Sequence, residues 1–269
     1  MYLADYHTHS SVSPDGSVTV SELAQAAIDH GLDEICVTDH VDTILWGSHK
    51  PREDFDWPAL QAQVDEARRR YGHRLVIRMG AELGEAPMGF ARAEKLLASG
   101  PKLDFVIGSI HLAGEKFQHF DLYYIEKRDE TYYHSVIDSY LEDVLRLARW
   151  GKFSVLGHLT LPLRYINESH GEQMTFAGHE DQCREIFRTL IENGCGIECN
   201  TNRGHDPLPD GPLLRLYREL GGEIITLGSD AHNTRYVGCA IRERQELLRQ
   251  CGFRYFTTFE GGTPAFRPL

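Results

Sequence analysis

Seven short strand-like apolar stretches recur along the chain, at Tyr2 to Tyr6, Glu34 to Thr38, Leu75 to Met79, Phe105 to Gly108, Phe153 to Leu156, Gly196 to Cys199 and Glu223 to Leu227. Between and after them lie segments with helical spacing of apolar positions, at Val20 to His30, Trp57 to Tyr71, Gly89 to Ala98, Arg128 to Trp150, Phe176 to Asn193, Gly211 to Leu220 and Arg235 to Gln250. Thr19 or Ser21 is placed to cap the first helix, and Gly31, Gly194 and Gly221 follow helix ends where a left-handed residue is needed. Strict alternation of strand and helix predicts parallel strands with right-handed crossovers, doubly wound or closed as a barrel. No linker rich in Pro, Gly or Ser and no repeat beyond the alternation interrupts the 269 residues, so one domain is expected.

Composition narrows the partners. No apolar run reaches the ~18 to 20 residues needed to span a bilayer, and Asp5 stands where a signal peptide needs a basic flank, so a cytoplasmic protein with no membrane partner is expected. The net charge of -12 opposes tight binding to a polyanion, and nucleic acid is not an expected partner. Arg68, Arg69 and Arg70 end a predicted helix, where they complement its dipole. The six cysteines are scattered and read as buried reduced thiols, the Cys195 and Cys199 pair included.

Metal-binding residue types follow the strands in phase. His7 and His9 follow the first strand, Asp39 and His40 the second, Glu82 the third, His111 the fourth and His158 the fifth; Asn200, Asn202 and Arg203 follow the sixth, and Asp230 with His232 the seventh. In a (β/α) barrel those strand ends converge on the face where active sites sit. His30, His49, His73, His119, His134, His170, His179 and His205 lie mostly in helices or loops and are read as ordinary structural histidines.

Six strand-end histidines with Asp15, Glu82 and Asp230 exceed the three or so protein ligands of one catalytic zinc, so more than one metal is implied. Adjacent cations can hold the attacking and leaving oxygens of an in-line displacement, which suits phosphoryl hydrolysis by activated water. The chain carries no Walker P-loop, no GxGxxG turn after its first strand and no recognisable nucleophile motif.

His7-Thr8-His9, Asp15-Gly16, Thr38-Asp39-His40, Gly80-Ala81-Glu82, Gly108-Ser109-Ile110-His111, Gly157-His158 and Ser229-Asp230-Ala231-His232 together resemble the PHP (polymerase and histidinol phosphatase) superfamily. Chain length, Val155 to Leu159 and Asn200 to Arg203 look most like its stand-alone histidinol-phosphatase branch. The resemblance implies a distorted (β/α)7 TIM-like barrel spanning residues 1–269, with three divalent transition metal ions (Zn, Fe or Mn). By similarity, His7, His9, Glu82 and Asp230 would hold one ion, Glu82, His111 and His158 a second, and Asp15, His40 and His232 the third. Three such ions against three carboxylates would attract a phosphate dianion. Asp39 would orient a ligand imidazole or shuttle a proton, and Arg164 and Arg203 would grip phosphate through their guanidinium forks. Glu115 is a candidate partner for a substrate ammonium.

Many relatives carry Asp two residues after the fifth-strand His, whereas this chain has Thr160. The leading expectation is hydrolysis of a small phosphate ester, L-histidinol phosphate, by a metal-bound hydroxide. The alternatives are another PHP phosphoesterase acting on nucleoside bisphosphates or nucleotide ends, and a non-catalytic metal-binding or scaffold barrel. Oligomeric state is not encoded in any feature of the sequence.

Overall fold

A computed structural model describes residues 1–269. Seven strands, β1 (Ala4–Thr8), β2 (Glu34–Val37), β3 (Val76–Gly84), β4 (Phe105–Ser109), β5 (Val155–Leu156), β6 (Gly196–Asn200) and β7 (Ile225–Gly228), pair in parallel in sequential order. The helices α1 (Val20–Asp29), α2 (Trp57–Tyr71), α3 (Phe90–Ala98), α4 (Glu130–Trp150), α5 (Leu161–Leu163), α6 (Glu180–Glu192), α7 (Gly211–Glu219) and α8 (Ile241–Gln250) alternate with them. The result is a nearly closed (β/α)7 TIM-like barrel. Most strands are apolar and buried on both faces, as a parallel sheet covered by helices requires.

Local chemistry sets the joints. Thr19 and Glu22 form a reciprocal capping box at the start of α1, and Gly31, at φ +75°, lets the chain turn toward β2. Barrel closure depends on side chains as well as backbone. Strand β1 meets β7 through His9 N–H to Ala231 O (2.8 Å) and Asp230 N–H to His7 O (2.8 Å). Lower down, the buried Asp5 carboxylate accepts from the Ser229 N–H (2.8 Å) and Oγ–H (2.5 Å).

Within the barrel, three features depart from the expected elements. Strand β3 runs on to Gly84, so Glu82 lies within the strand, and β1 likewise includes His7 and Thr8. After β5, α5 runs directly into a π-helical turn, Arg164–Ser169, a segment for which the sequence predicts no regular element. The last helix begins at Ile241, the preceding Thr234–Tyr236 being a separate 3-10 turn.

The expected elements end at Gln250, yet an antiparallel hairpin follows, β8 (Tyr255–Glu260) and β9 (Thr263–Pro268). Gly261 and Gly262, both at positive φ, form its turn, a hairpin signal that the parallel alternation obscures. It packs under the N-terminal strand ends: the Phe259 ring lies 5.0 Å from Phe105, and Gly261 N–H donates to Asp104 (2.9 Å).

Candidate metal centre

The sequence places His7 and His9 two residues apart at the end of β1, and the barrel brings the other strand ends to them. His7 Nε2 lies 3.3 Å from Glu82 and 3.6 Å from Asp230; His9 Nε2 lies 3.5 and 3.4 Å from the same carboxylates. On the other side of Glu82, His158 Nε2 (2.9 Å), His111 Nε2 (3.2 Å) and His40 Nδ1 (3.0 Å) converge. Asp15, partly exposed at the rim, meets His232 Nε2 at 3.0 Å and His40 Nε2 at 3.8 Å. Glu82 therefore stands at the middle of the cluster, within 3.5 Å of five imidazoles.

The donor set fits divalent metal. His7 Nε2, His9 Nε2, His40 Nδ1, His232 Nε2 and Glu82 Oε2 are buried and form no hydrogen bond among themselves or with neighbours. Unpaired buried polar atoms are costly, and here they share one small volume of imidazole and carboxylate donors suited to zinc, iron or manganese. Close groupings within ligand distance of one centre include His7, His9 and Asp230, then His7, Glu82 and His158, then His40, Glu82 and His111, and His9, His40 and His232.

The electrostatics are those of mutual pairing. Burial disfavours the charge on Glu82, but His40, His7 and His111 hold its carboxyl well below the usual range. Asp230 is likewise held well below, by Arg164 and His7 against burial. Asp15 is held down at about 2 by the neighbouring His232 and His40 imidazoles, again against burial. Burial pulls His9 down and His40 well down. His7 and His111 rise well above the ordinary imidazole value because neighbouring carboxylates overcome burial. Asp230 also adopts a left-handed backbone (φ 59°), a conformation that Asp tolerates better than most residues.

Above this cluster opens a cavity of ≈ 240 Å³ walled by Trp46, Tyr123, Tyr124 and Tyr165. Arg164 reaches it, with Nε on Asn202 Oδ1 (2.8 Å), Nη1 on Asp230 Oδ2 (2.8 Å) and Nη2 on Asn200 Oδ1 (3.2 Å). Arg203 stands at the outer rim, paired with Glu168 at 3.3 Å. Asp39 is buried and does not face the cavity. It accepts from Ser10 N–H and from Ser13 Oγ–H (2.7 Å), and Ser13 Oγ is 3.2 Å from His9 Nδ1, so Asp39 bears on His9 through Ser13. Glu115 lies on an exposed 3-10 turn outside the cavity; Glu85 and Asp121 are carboxylates on its wall. His49, expected to be a structural loop histidine, also lines it. Thr160 is buried beside α5.

Two residues that the sequence does not single out stand behind the imidazoles: Glu198, 2.7 Å from His7 Nδ1, and Glu85, 3.2 Å from His111 Nδ1. The available signal for Glu198 is a charged residue inside an otherwise apolar strand, rare unless paired. Glu85 carries no such signal.

A family model described as PHP domain matches residues 5–202. A histidinol-phosphatase of Lactococcus lactis subsp. lactis is 29% identical over 264 residues, covering 96% of this chain and 94% of that protein. A probable histidinol-phosphatase of Thermotoga maritima is 27% identical over 256 residues, covering 94% of each. The crystal structure of the Lactococcus lactis histidinol phosphate phosphatase complexed with Zn, L-histidinol and phosphate matches with a TM-score of 0.82 at 25% identity, over 98% of both chains.

Proposed function

Because the chain belongs to the PHP domain family, we propose that residues 1–269 act as one metal-dependent phosphomonoesterase that hydrolyses L-histidinol phosphate to L-histidinol and phosphate. The observation that carries this reading is the convergence of unpaired, buried imidazole nitrogens on Glu82 at the floor of an aromatic-walled cavity. The near full-length similarity to histidinol-phosphatases supports the choice of ester.

Three divalent ions (Zn, Fe or Mn) would be held by His7, His9, Glu82 and Asp230, by Glu82, His111 and His158, and by Asp15, His40 and His232, with Glu82 shared. When bound, such ions supply Lewis-acid polarisation of phosphoryl oxygens and acidify water toward pKa ~7. The chain's own residues do the rest. Arg164, oriented by Asn200, Asn202 and Asp230, keeps N–H groups free for phosphate oxygens. Arg203 adds charge at the rim, and Ser13, backed by Asp39, fixes the His9 ring.

Phosphate release from purified protein, with and without chelation, tests the reading. Loss of turnover on chelation and return with metal is expected; turnover that survives complete metal removal overturns it. A panel of histidinol phosphate, nucleoside bisphosphates and single-stranded oligonucleotides identifies the ester, with the highest kcat/KM expected for histidinol phosphate.

A further inference from the structure

We infer that Glu198 is a positioning residue that ties the orientation of His7 to that of Arg164, through Asn200, in one buried polar ring. The inference rests on the functional reading above for the roles of His7 and Arg164. Glu198 sits on β6 and is buried, and its Oε1 lies 2.7 Å from His7 Nδ1. A carboxylate only accepts, so Nδ1 carries the hydrogen and Nε2 presents its lone pair toward Glu82 and Asp230. Glu198 Oε2 accepts from the His158 N–H (2.9 Å) and from Asn200 Nδ2–H (3.2 Å).

Asn200 then turns its Oδ1 outward, accepting from Arg164 Nη2 (3.2 Å) and the Asn202 N–H (2.8 Å). Arg164 Nη1 donates to Asp230 Oδ2, and Asp230 Oδ1 lies 3.6 Å from His7 Nε2 without a hydrogen bond between them, so that a cation held by both would close the ring. The space is made by Gly228, where a Cβ would fall 2.2 Å from Glu198 Oε1 and 2.4 Å from His7 Cβ. Every group hydrogen-bonded to Glu198 is a donor, so glutamine cannot replace it. Its amide would set donor against donor at one end, or force His7 into the tautomer whose Nε2 cannot ligate.

The test uses binding, not turnover. In Glu198→Gln, the zinc concentration for half-saturation, read by chelator competition, is expected to rise roughly 10- to 100-fold, the range for partners that orient metal-binding imidazoles. In Asn200→Ala, zinc affinity should weaken less than in Glu198→Gln, because the His158 N–H still holds Glu198 Oε2, while the Kd for inorganic phosphate on zinc-saturated protein rises about tenfold, as expected when a charge-assisted hydrogen bond that orients Arg164 is removed. Wild-type zinc affinity in Glu198→Gln, or wild-type phosphate affinity in Asn200→Ala, overturns the ring. If Glu198→Gln fails to fold, Asn200→Ala decides alone by the same criterion. A protein that shows both shifts yet hydrolyses no phosphate ester keeps the ring and overturns the functional reading instead.

Discussion

Both ends of the barrel bury charged and polar side chains, but they treat them differently. At the N-terminal end, Glu34 accepts from Tyr2 (2.7 Å), Tyr6 (2.6 Å) and Arg78 (2.9 Å), and Tyr6 Oη in turn accepts from the Phe259 N–H (2.7 Å). No buried polar atom of Tyr6 or Glu34 is left without a partner. At the C-terminal end, imidazole nitrogens of His7, His9, His40 and His232 and an oxygen of Glu82 are buried without one. The Tyr6–Glu34 network is complete as folded, beside the β8–β9 hairpin. The C-terminal end keeps bonding capacity in reserve, at a cost in stability, which is the signature of a surface built for a ligand.

The contrast breaks most sharply under substitution at the C-terminal end. His9→Ala and Asp230→Asn are each expected to lower kcat/KM by roughly 10²–10³-fold or more, the scale of losing a preorganised charge at a reacting centre. The protein should remain folded, checked by circular dichroism; full activity in either variant contradicts the assignment of the centre. At the other end the effect should be on stability alone. Phe259→Ala removes the ring packed on Tyr6 and Phe105 and is expected to cost about 3–5 kcal/mol in denaturant unfolding. The folded fraction should keep its kcat, and a catalytic defect there would erase the distinction between the ends.

Acidity separates the ends in a gentler way. In metal-stripped protein, burial lowers His7 and His111, but Glu198 and Glu82 around the first and Glu85 and Glu82 around the second raise both well above the ordinary value. Their contribution to stability is complete below pH ~6.5 and is lost as pH rises through the raised values. Glu82 and Asp230, held well below the carboxylate range, and Asp15, at about 2, contribute above pH ~4 and lose it as pH falls. His9 and His40, lowered by burial, work the other way and cost stability as pH falls below ~6.5, so stripped protein should melt highest near pH ~6.5. Metal binding needs neutral imidazoles, so stabilisation by added zinc should grow between about pH 6 and 8. Melting curves across pH, with and without chelator, check both; a stripped form that gains stability steadily up to about pH 9 contradicts the pairing. The smallest effect belongs to neither end. Lys95→Ala removes an exposed pair with Glu53 and should change unfolding free energy by no more than about 0.5 kcal/mol.

Much of the centre is legible before folding because its residues follow a period. Ligand-type side chains at the ends of successive strands stand out against apolar runs, and the parallel alternation says that those ends share a face. Residues acting one hydrogen bond further back are less visible. Ser13 and Asp39 reach His9 across a turn, and Glu85 meets His111 from the end of an extended β3, positions with no repeating relation to the strands. The hairpin at 255–268 escapes for the opposite reason, its alternating pattern belonging to an architecture different from the rest of the chain.

By itself the sequence determined the seven strand-and-helix units, the gathering of His7, His9, His40, Glu82, His111, His158, Asp230 and His232 at one rim, and the absence of any long apolar span. These follow from local periodicity and from the single arrangement that parallel strands with covered faces allow. Only the tertiary structure decided that five imidazoles surround Glu82, that the imidazole behind which Asp39 stands is that of His9, through Ser13, and that Glu198 and Asn200 link His7 to Arg164. Those are relations between side chains from strands far apart in the chain, and their distances and directions are set by barrel closure, which no local pattern encodes.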